Sequence, residues 1–188
     1  QGPWLLLYGI PGILGGYRYT AGPRPYKHIG LGDPLIVFLM GPLMTQGAYT
    51  AVTGDPFSAA AFFLGFVPGL LIAAVLQGNN ASDILADGAA GVRTLAVRVG
   101  FRTARNLYIA SLTLAYAAVL ALWIGDLFGP AILLPLLTLP IAAGLVRQAA
   151  SAAHPDDGAL VTLAPKTAQL HLLASMLLVV GVVLDRSL

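Results

Sequence analysis

Long apolar runs fall at residues 2–17, 35–52, 57–78, 104–125, 128–149 and 166–184, with Gly, Pro and charge gathered between them. None has the period of two that a membrane barrel requires, and each is too long for one barrel strand. The pattern predicts an all-α, polytopic membrane bundle of about six transmembrane helices. Residues 1–188 read as a single integral membrane domain.

Charge between the runs supplies the topology. If the chain crosses at every run, the connections at 18–34, 79–103 and 150–165 share one side. With the adjoining helix ends, that side carries Arg18, Arg24, Lys27, Arg93, Arg98, Arg102, Arg105, Arg147 and Lys166, and the far side has Arg186. Asp55 and Asp126 mark the far turns. Cations concentrate on the cytoplasmic side of membrane proteins, so this end is expected to face the cytoplasm.

Composition agrees. Hydrophobic residues make up 57% and charged residues 10%, against roughly 25% charged in soluble domains; mean hydropathy is +0.82. The formal charge of +2 is too small to argue for nucleic acid, and the absence of cysteine rules out disulfides and thiolate sites. A lipid bilayer is the one partner that composition alone establishes. Gln1 is not an initiator methionine, and the first run, interrupted by Pro3 and Pro11, is neither a signal peptide nor a convincing complete span. The sequence is expected to be the C-terminal part of a longer protein.

Candidate chemistry sits at the end of the third run. Asn79, Asp83 and Asp87 stand at i, i+4 and i+8. Each four-residue step on a helix rotates only about 40°, so the three share one face. A carboxylate in a bilayer costs several kcal/mol unless paired, hydrated or bound to a cation, and two on one face point to a divalent metal. Hard oxygen donors suit Mg²⁺, which takes one or two carboxylates and shares substrate phosphate oxygens. The bland reading is a solvated helix end, most plausible for Asp87, which precedes Gly88 and Gly91. Residues 17–28 interleave Arg18, Arg24 and Lys27 with Tyr17, Tyr19 and Tyr26; such cations either fix topology or bind phosphate. His28, His154 and His171 lack ligand partners at helical spacing, and 154–158 reads as a turn.

At these residues the sequence resembles a known family. Asn79-Asn80-Ala81-Ser82-Asp83-Ile84-Leu85-Ala86-Asp87, followed by Gly91-Val92-Arg93-Thr94-Leu95-Ala96-Val97-Arg98-Val99-Gly100, resembles the second aspartate-rich motif of the UbiA superfamily of intramembrane prenyltransferases. The nearest pattern is that of the 1,4-dihydroxy-2-naphthoate polyprenyltransferases of menaquinone synthesis, NNxRDxxxDxxxGKxTLAVRLG. Residues 19–26, with Gly30-Leu31-Gly32-Asp33, and residues 165–171 also resemble that branch. Ser82 replaces the usual Arg, and Val92 the usual Lys, with Arg93 next to it.

The resemblance implies a nine-helix fold of which this chain holds roughly the last six, beginning after the first aspartate-rich motif. It also implies Mg²⁺-dependent transfer of a prenyl group from a polyprenyl diphosphate to an aromatic quinone precursor, in a bacterial inner membrane with the site toward the cytoplasm. Asn79, Asp83 and Asp87 would bind metal, with Asp83 and Asp87 catalytic. Arg93, Arg98, Arg24 and Lys27 would hold diphosphate, and Tyr19, Asp33 and Asn80 would position the acceptor or gate the site. With half of a two-motif metal site, the chain alone is expected to be inactive. Rival readings are a 4-hydroxybenzoate-type acceptor, a CDP-alcohol phosphotransferase, and a transporter fragment with an intramembrane ion site. The first Asp spacing is one residue too long for the phosphotransferase, and the far side is almost free of the polar groups a transport path needs.

Overall fold

A computed structural model describes residues 3–23 and 25–187. All regular secondary structure among the described residues is helical, with no strand among them. Five segments are long and apolar enough to cross a membrane: Gly32–Thr53, Ala59–Ser82, Phe101–Ile124, Pro130–Ser151 and Gly158–Asp185. The sixth expected span is helix α1, Leu5–Thr20, which at 16 residues is shorter and keeps Pro11 inside it. Because α1 buries none of its residues, it lies against the bundle rather than within it.

The span 32–53 is kinked. Helix α2 (Gly32–Phe38) passes through a π-helical turn, Leu39–Leu43, into α3 (Met44–Thr53). Pro42 has no N–H to donate, and Gly41 leaves helical geometry at φ −111°, ψ −107°. The kink seats the backbone against α4 (Ala59–Ser82). A β-carbon on Gly65 would stand 2.6 Å from the Pro42 backbone, and one on Gly41 2.5 Å from the Gly65 carbonyl oxygen. Close backbone approach at small residues is what holds helices together where lipid is as apolar as leucine. The buried Gln46 amide fixes the turn between the two spans, donating to Ser58 O at 2.8 Å and accepting from Ser58 N at 3.3 Å. Ser58 in turn caps α4 by accepting from Ala61 N.

Beyond α4 come two short helices, α5 (Ile84–Ala89) and α6 (Leu95–Val99), then α7 (Phe101–Ile124). A 3₁₀ stretch, Pro130–Thr138, leads into α8 (Leu139–Ser151), and α9 (Leu163–Ser187) closes the bundle. Spans α4, α7, 130–151 and α9 share one core around Leu71, Leu112, Ile132, Leu145 and Leu170. Two buried hydroxyl pairs cross it, Tyr108 with Thr167 at 2.7 Å and Tyr116 with Thr138 at 2.6 Å.

The basic connections meet at one end of the bundle, as alternate crossings of the chain require. Arg98 Nη2 donates to His28 O at 3.0 Å and Arg105 Nη1 to Ala152 O at 2.8 Å, joining the three basic connections at one end. At the other end Tyr8 donates to Pro56 O, and the Asp185 carboxylate accepts from the Ala131 and Ile132 amides. Residues 154–158 form the expected turn, with Asp157 N donating to His154 O.

Candidate functional site at the arginine-rich end

The helix bearing Asn79, Asp83 and Asp87 is interrupted, and the interruption preserves their stacking. Helix α4 ends at Ser82, and Asp83 takes φ −96°, ψ 3° before α5 begins. Yet Asp83 N still donates to Asn79 O at 3.0 Å and Asp87 N to Asp83 O at 2.7 Å. These are helical i to i−4 bonds, so the three residues remain one turn apart across the break. The Asn79 Nδ2 donates to Asp83 Oδ2 at 2.9 Å, and Ser82 Oγ to Asp83 Oδ1 at 3.3 Å. Asn79 and Asp83 are exposed and Asp87 is half-buried.

These donors fit a hard divalent cation in part. Two carboxylates and an amide within two turns are too few to enclose one, and no group of three His, Cys, Asp or Glu comes together among the described residues. Mg²⁺ sites are commonly of this open kind, with water and substrate phosphates completing the shell.

A cap of basic backbone turns covers the same end. After Asp87 the chain reverses through Gly91 at φ 72°, with Val92 N donating to Asp87 O at 2.8 Å; this left-handed geometry favours glycine. Thr94 then caps α6, its Oγ1 accepting from Val97 N. Arg98 reaches back with Nε to Arg93 O at 3.1 Å and across with Nη2 to His28 O. It thereby pins the Tyr26–Ile29 turn, which holds Lys27, onto the loop that holds Arg93. Gly30, at φ 80°, lies directly under this side chain, 2.9 Å from Arg98 Cδ to where a β-carbon would be. Arg98 was expected to bind an anion; two of its nitrogens serve the backbone, which leaves the Nη1 amine for that purpose. Arg93 is exposed, and Arg24 lies outside the described residues.

Arg98→Ala is expected to release the 26–30 turn while leaving the bundle folded. Losing two charge-assisted bonds at an exposed site is worth about 1.4 kcal/mol, a ten-fold change in an opening equilibrium. Amide hydrogen exchange at residues 26–31 should quicken by about that factor, and exchange within α7 should not change.

The remaining expected residues assemble separately, on the other face of α4. Asp33, Gln77 and Asn80 are buried and line a small cavity of about 10 Å³ with Leu95, Ala96 and Ala104, room for one water molecule. Gln77 faces the Asp33 carboxylate, and its Oε1 has no partner among the described residues. The Tyr19 ring packs over Gly32, 3.3 Å from where a β-carbon would be. Tyr19, Asp33 and Asn80 are thus brought together, while Asn80 points away from its neighbour Asn79. Gln77 escaped the sequence reading, although a polar residue three positions before Asn80 shares its helix face.

An all-helical bundle with several membrane-length spans, its stacked oxygen donors followed in the chain by an arginine-bearing loop, defines a polytopic integral membrane protein. The chain belongs to the UbiA prenyltransferase family, whose model matches residues 1–173. It is 35% identical over 182 residues to human UbiA prenyltransferase domain-containing protein 1, covering 96% of this chain and 50% of that protein. The Dictyostelium discoideum protein of the same name is 33% identical over 181 residues, covering 96% and 52%. The 1,4-dihydroxy-2-naphthoate octaprenyltransferase of Escherichia coli is 34% identical over 184 residues, covering 97% and 58%. The chain spans about half the length of the curated relatives it matches. Family membership displaces the phosphotransferase and transporter readings.

Proposed function

We propose that the protein transfers a polyprenyl group from a prenyl diphosphate to an aromatic acceptor, and that the acceptor is 1,4-dihydroxy-2-naphthoate, as in menaquinone synthesis. The observation that carries the reading is the helical stacking of Asn79, Asp83 and Asp87, with Arg93 and Arg98 in the loop and helix that follow them, in a chain of the UbiA family. The name of the Escherichia coli relative supports this acceptor. The concentration of Arg and Lys at this end favours a site facing the cytoplasm, and the names of the bacterial relatives support a bacterial inner membrane.

In this reading Asn79, Asp83 and Asp87 would hold Mg²⁺, which when bound would supply charge neutralisation for the departing diphosphate. Arg93, the Nη1 amine of Arg98, Lys27 and Arg24 add N–H donors to the same oxygens, where negative charge grows as the prenyl C–O bond breaks and its electron pair leaves with phosphate. The resulting allylic cation is attacked by a ring carbon of the acceptor. With dihydroxynaphthoate the carboxylate departs as carbon dioxide, and the electron pair of that bond restores the aromatic ring. The surrounding apolar spans shield the cation from water. Tyr19, which lines an apolar groove, would orient the acceptor, with the buried Asp33, Asn80 and Gln77 acting on its position rather than touching the substrate. This groove, of about 450 Å³ between α1 and the kinked span, is lined by Tyr19, Gly16, Gly12 and Gly9, a channel suited to the prenyl tail.

The test is a turnover assay on the complete membrane-embedded enzyme with Mg²⁺, a prenyl diphosphate, and either dihydroxynaphthoate or 4-hydroxybenzoate. Decarboxylative prenylation of the naphthoate, at a kcat/KM at least about a hundred-fold above the benzoate, is expected, since a site that pairs one substrate's polar groups rejects the analogue lacking them. A preference for the benzoate would move the assignment to another branch of aromatic prenyltransferases.

A further inference from the structure

A second groove lies on the opposite side of the core, between α7 and α8. It has a volume of about 480 Å³ and is lined by Leu112, Tyr116, Leu139, Ala143 and Val146, with Arg147 at one end. Both walls belong to membrane-length spans, so the medium at its mouth is hydrocarbon. Its polar groups are already used: the Tyr116 hydroxyl is bonded to Thr138 Oγ1 at 2.6 Å, and Thr113 Oγ1 donates to Ile109 O within its own helix. What remains is apolar surface that water would not wet.

The depth and the charge of the groove select its occupant. Arg147 stands four residues before the end of α8 at Ser151, about 6 Å along the helix. That is shallow enough for an arginine to reach the headgroup level. From Arg147 to Leu139 is about 12 Å of helix, close to one leaflet's half of a hydrocarbon core about 30 Å thick. Arg147 is exposed, and Nε is its one nitrogen in a hydrogen bond among the described residues, to Ala143 O at 3.3 Å. Its two Nη amines are left to form the planar fork that matches phosphate oxygens. Lys166 Nζ, held 3.1 Å from Gln148 Oε1 next to Arg147 in sequence, adds a second positive charge at the same end of the bundle.

We propose that this groove holds one acyl chain of an anionic phospholipid from the leaflet at the arginine-rich end, with the lipid phosphate on the Arg147 guanidinium. Basic pockets between transmembrane helices select anionic headgroups in this way. The chain fills a gap that α7 and α8 leave open, so the bound lipid completes the packing between them and stays distinct from the carboxylate stack on α4.

The experiment is native mass spectrometry of the detergent-purified protein titrated with dioleoyl phosphatidylglycerol or dioleoyl phosphatidylcholine. Wild type is expected to retain one phosphatidylglycerol at about ten-fold lower concentration than phosphatidylcholine. R147Q should lose that preference, A143F should weaken retention of both lipids by occluding the groove, and R102Q, an exposed cation at the same end, should match wild type. R147Q alters an exposed side chain, so it reads the headgroup even if A143F fails to fold. Equal retention of the two lipids by wild type, or an R147Q protein that keeps the preference, would overturn the proposal. So would one-for-one displacement of phosphatidylglycerol by a polyprenyl diphosphate, which would make the groove part of the donor site.

Discussion

Replacing Asp83 with alanine in the complete enzyme is expected to lower prenyl transfer at least about a hundred-fold at saturating substrate. Loss of one charged partner of a transition state costs several kcal/mol in the ionisation step, and the effect should fall on kcat, because the diphosphate gains most of its charge as the bond breaks. Asp87→Ala should behave similarly, since its amide is tied to Asp83 O, which sets the residue one helical turn beyond Asp83. Asp156, in the turn after Pro155 at the same end of the bundle, offers a control: Asp156→Ala should transfer at the wild-type rate. Steady-state kinetics at several Mg²⁺ concentrations distinguish the cases. A kcat within about three-fold of wild type for Asp83→Ala would remove the carboxylate from the chemistry.

The second large effect concerns the scaffold. Gly65→Ala is expected to destabilise the bundle by about 3 kcal/mol or more, because its β-carbon would stand 2.6 Å from the Pro42 Cα and N atoms, and backbone cannot give way as a flexible side chain can. The kink at Gly41 and Pro42 would have to move off α4, taking α2 and the buried Asp33 with it. Gly144→Ala is the matched comparison, with nothing within 4 Å of the added carbon; there alanine should be neutral or slightly stabilising within a helix. Thermal unfolding in a mild detergent should separate the two by many degrees. Equal melting temperatures would mean that the helix crossing is looser than these contacts require.

Much of this architecture is legible in the sequence because a bilayer imposes length and polarity on every span. The expected runs 57–78 and 104–125 correspond to α4 and α7 within a few residues at either end. The apolar run is the physical requirement itself. The count of crossings put the three basic connections at one end, where the Arg98 to His28 and Arg105 to Ala152 bonds join them. Periodicity does not report where a helix breaks. The π turn at Leu39–Leu43 depends on how Gly41 meets Gly65 across two spans, which is a tertiary fact. Asp83 likewise follows the helical spacing while occupying a break between α4 and α5.

The candidate site divides in the same manner. The stacking of Asn79, Asp83 and Asp87 follows from their spacing, and the i to i−4 bonds maintain it. The association of Asp33 with Gln77 and Asn80 does not, because it joins residues more than forty positions apart. A long cationic side chain also gives no sequence signal of its partner. Arg98 could reach an anion or a carbonyl, and the left-handed Gly30 beneath it is the one local sign that the chain makes room for the latter.

Direct observation of the metal tests the central claim. Mn²⁺ can stand in for Mg²⁺ at an oxygen-donor site, and its electron paramagnetic resonance signal broadens when it is immobilised. With the complete enzyme and a non-hydrolysable prenyl diphosphate analogue, wild type should bind Mn²⁺ tightly, while Asp83→Asn and Asp87→Asn should each weaken binding by about ten-fold or more. Unchanged Mn²⁺ affinity in both variants would contradict the assignment and place the metal elsewhere in the protein.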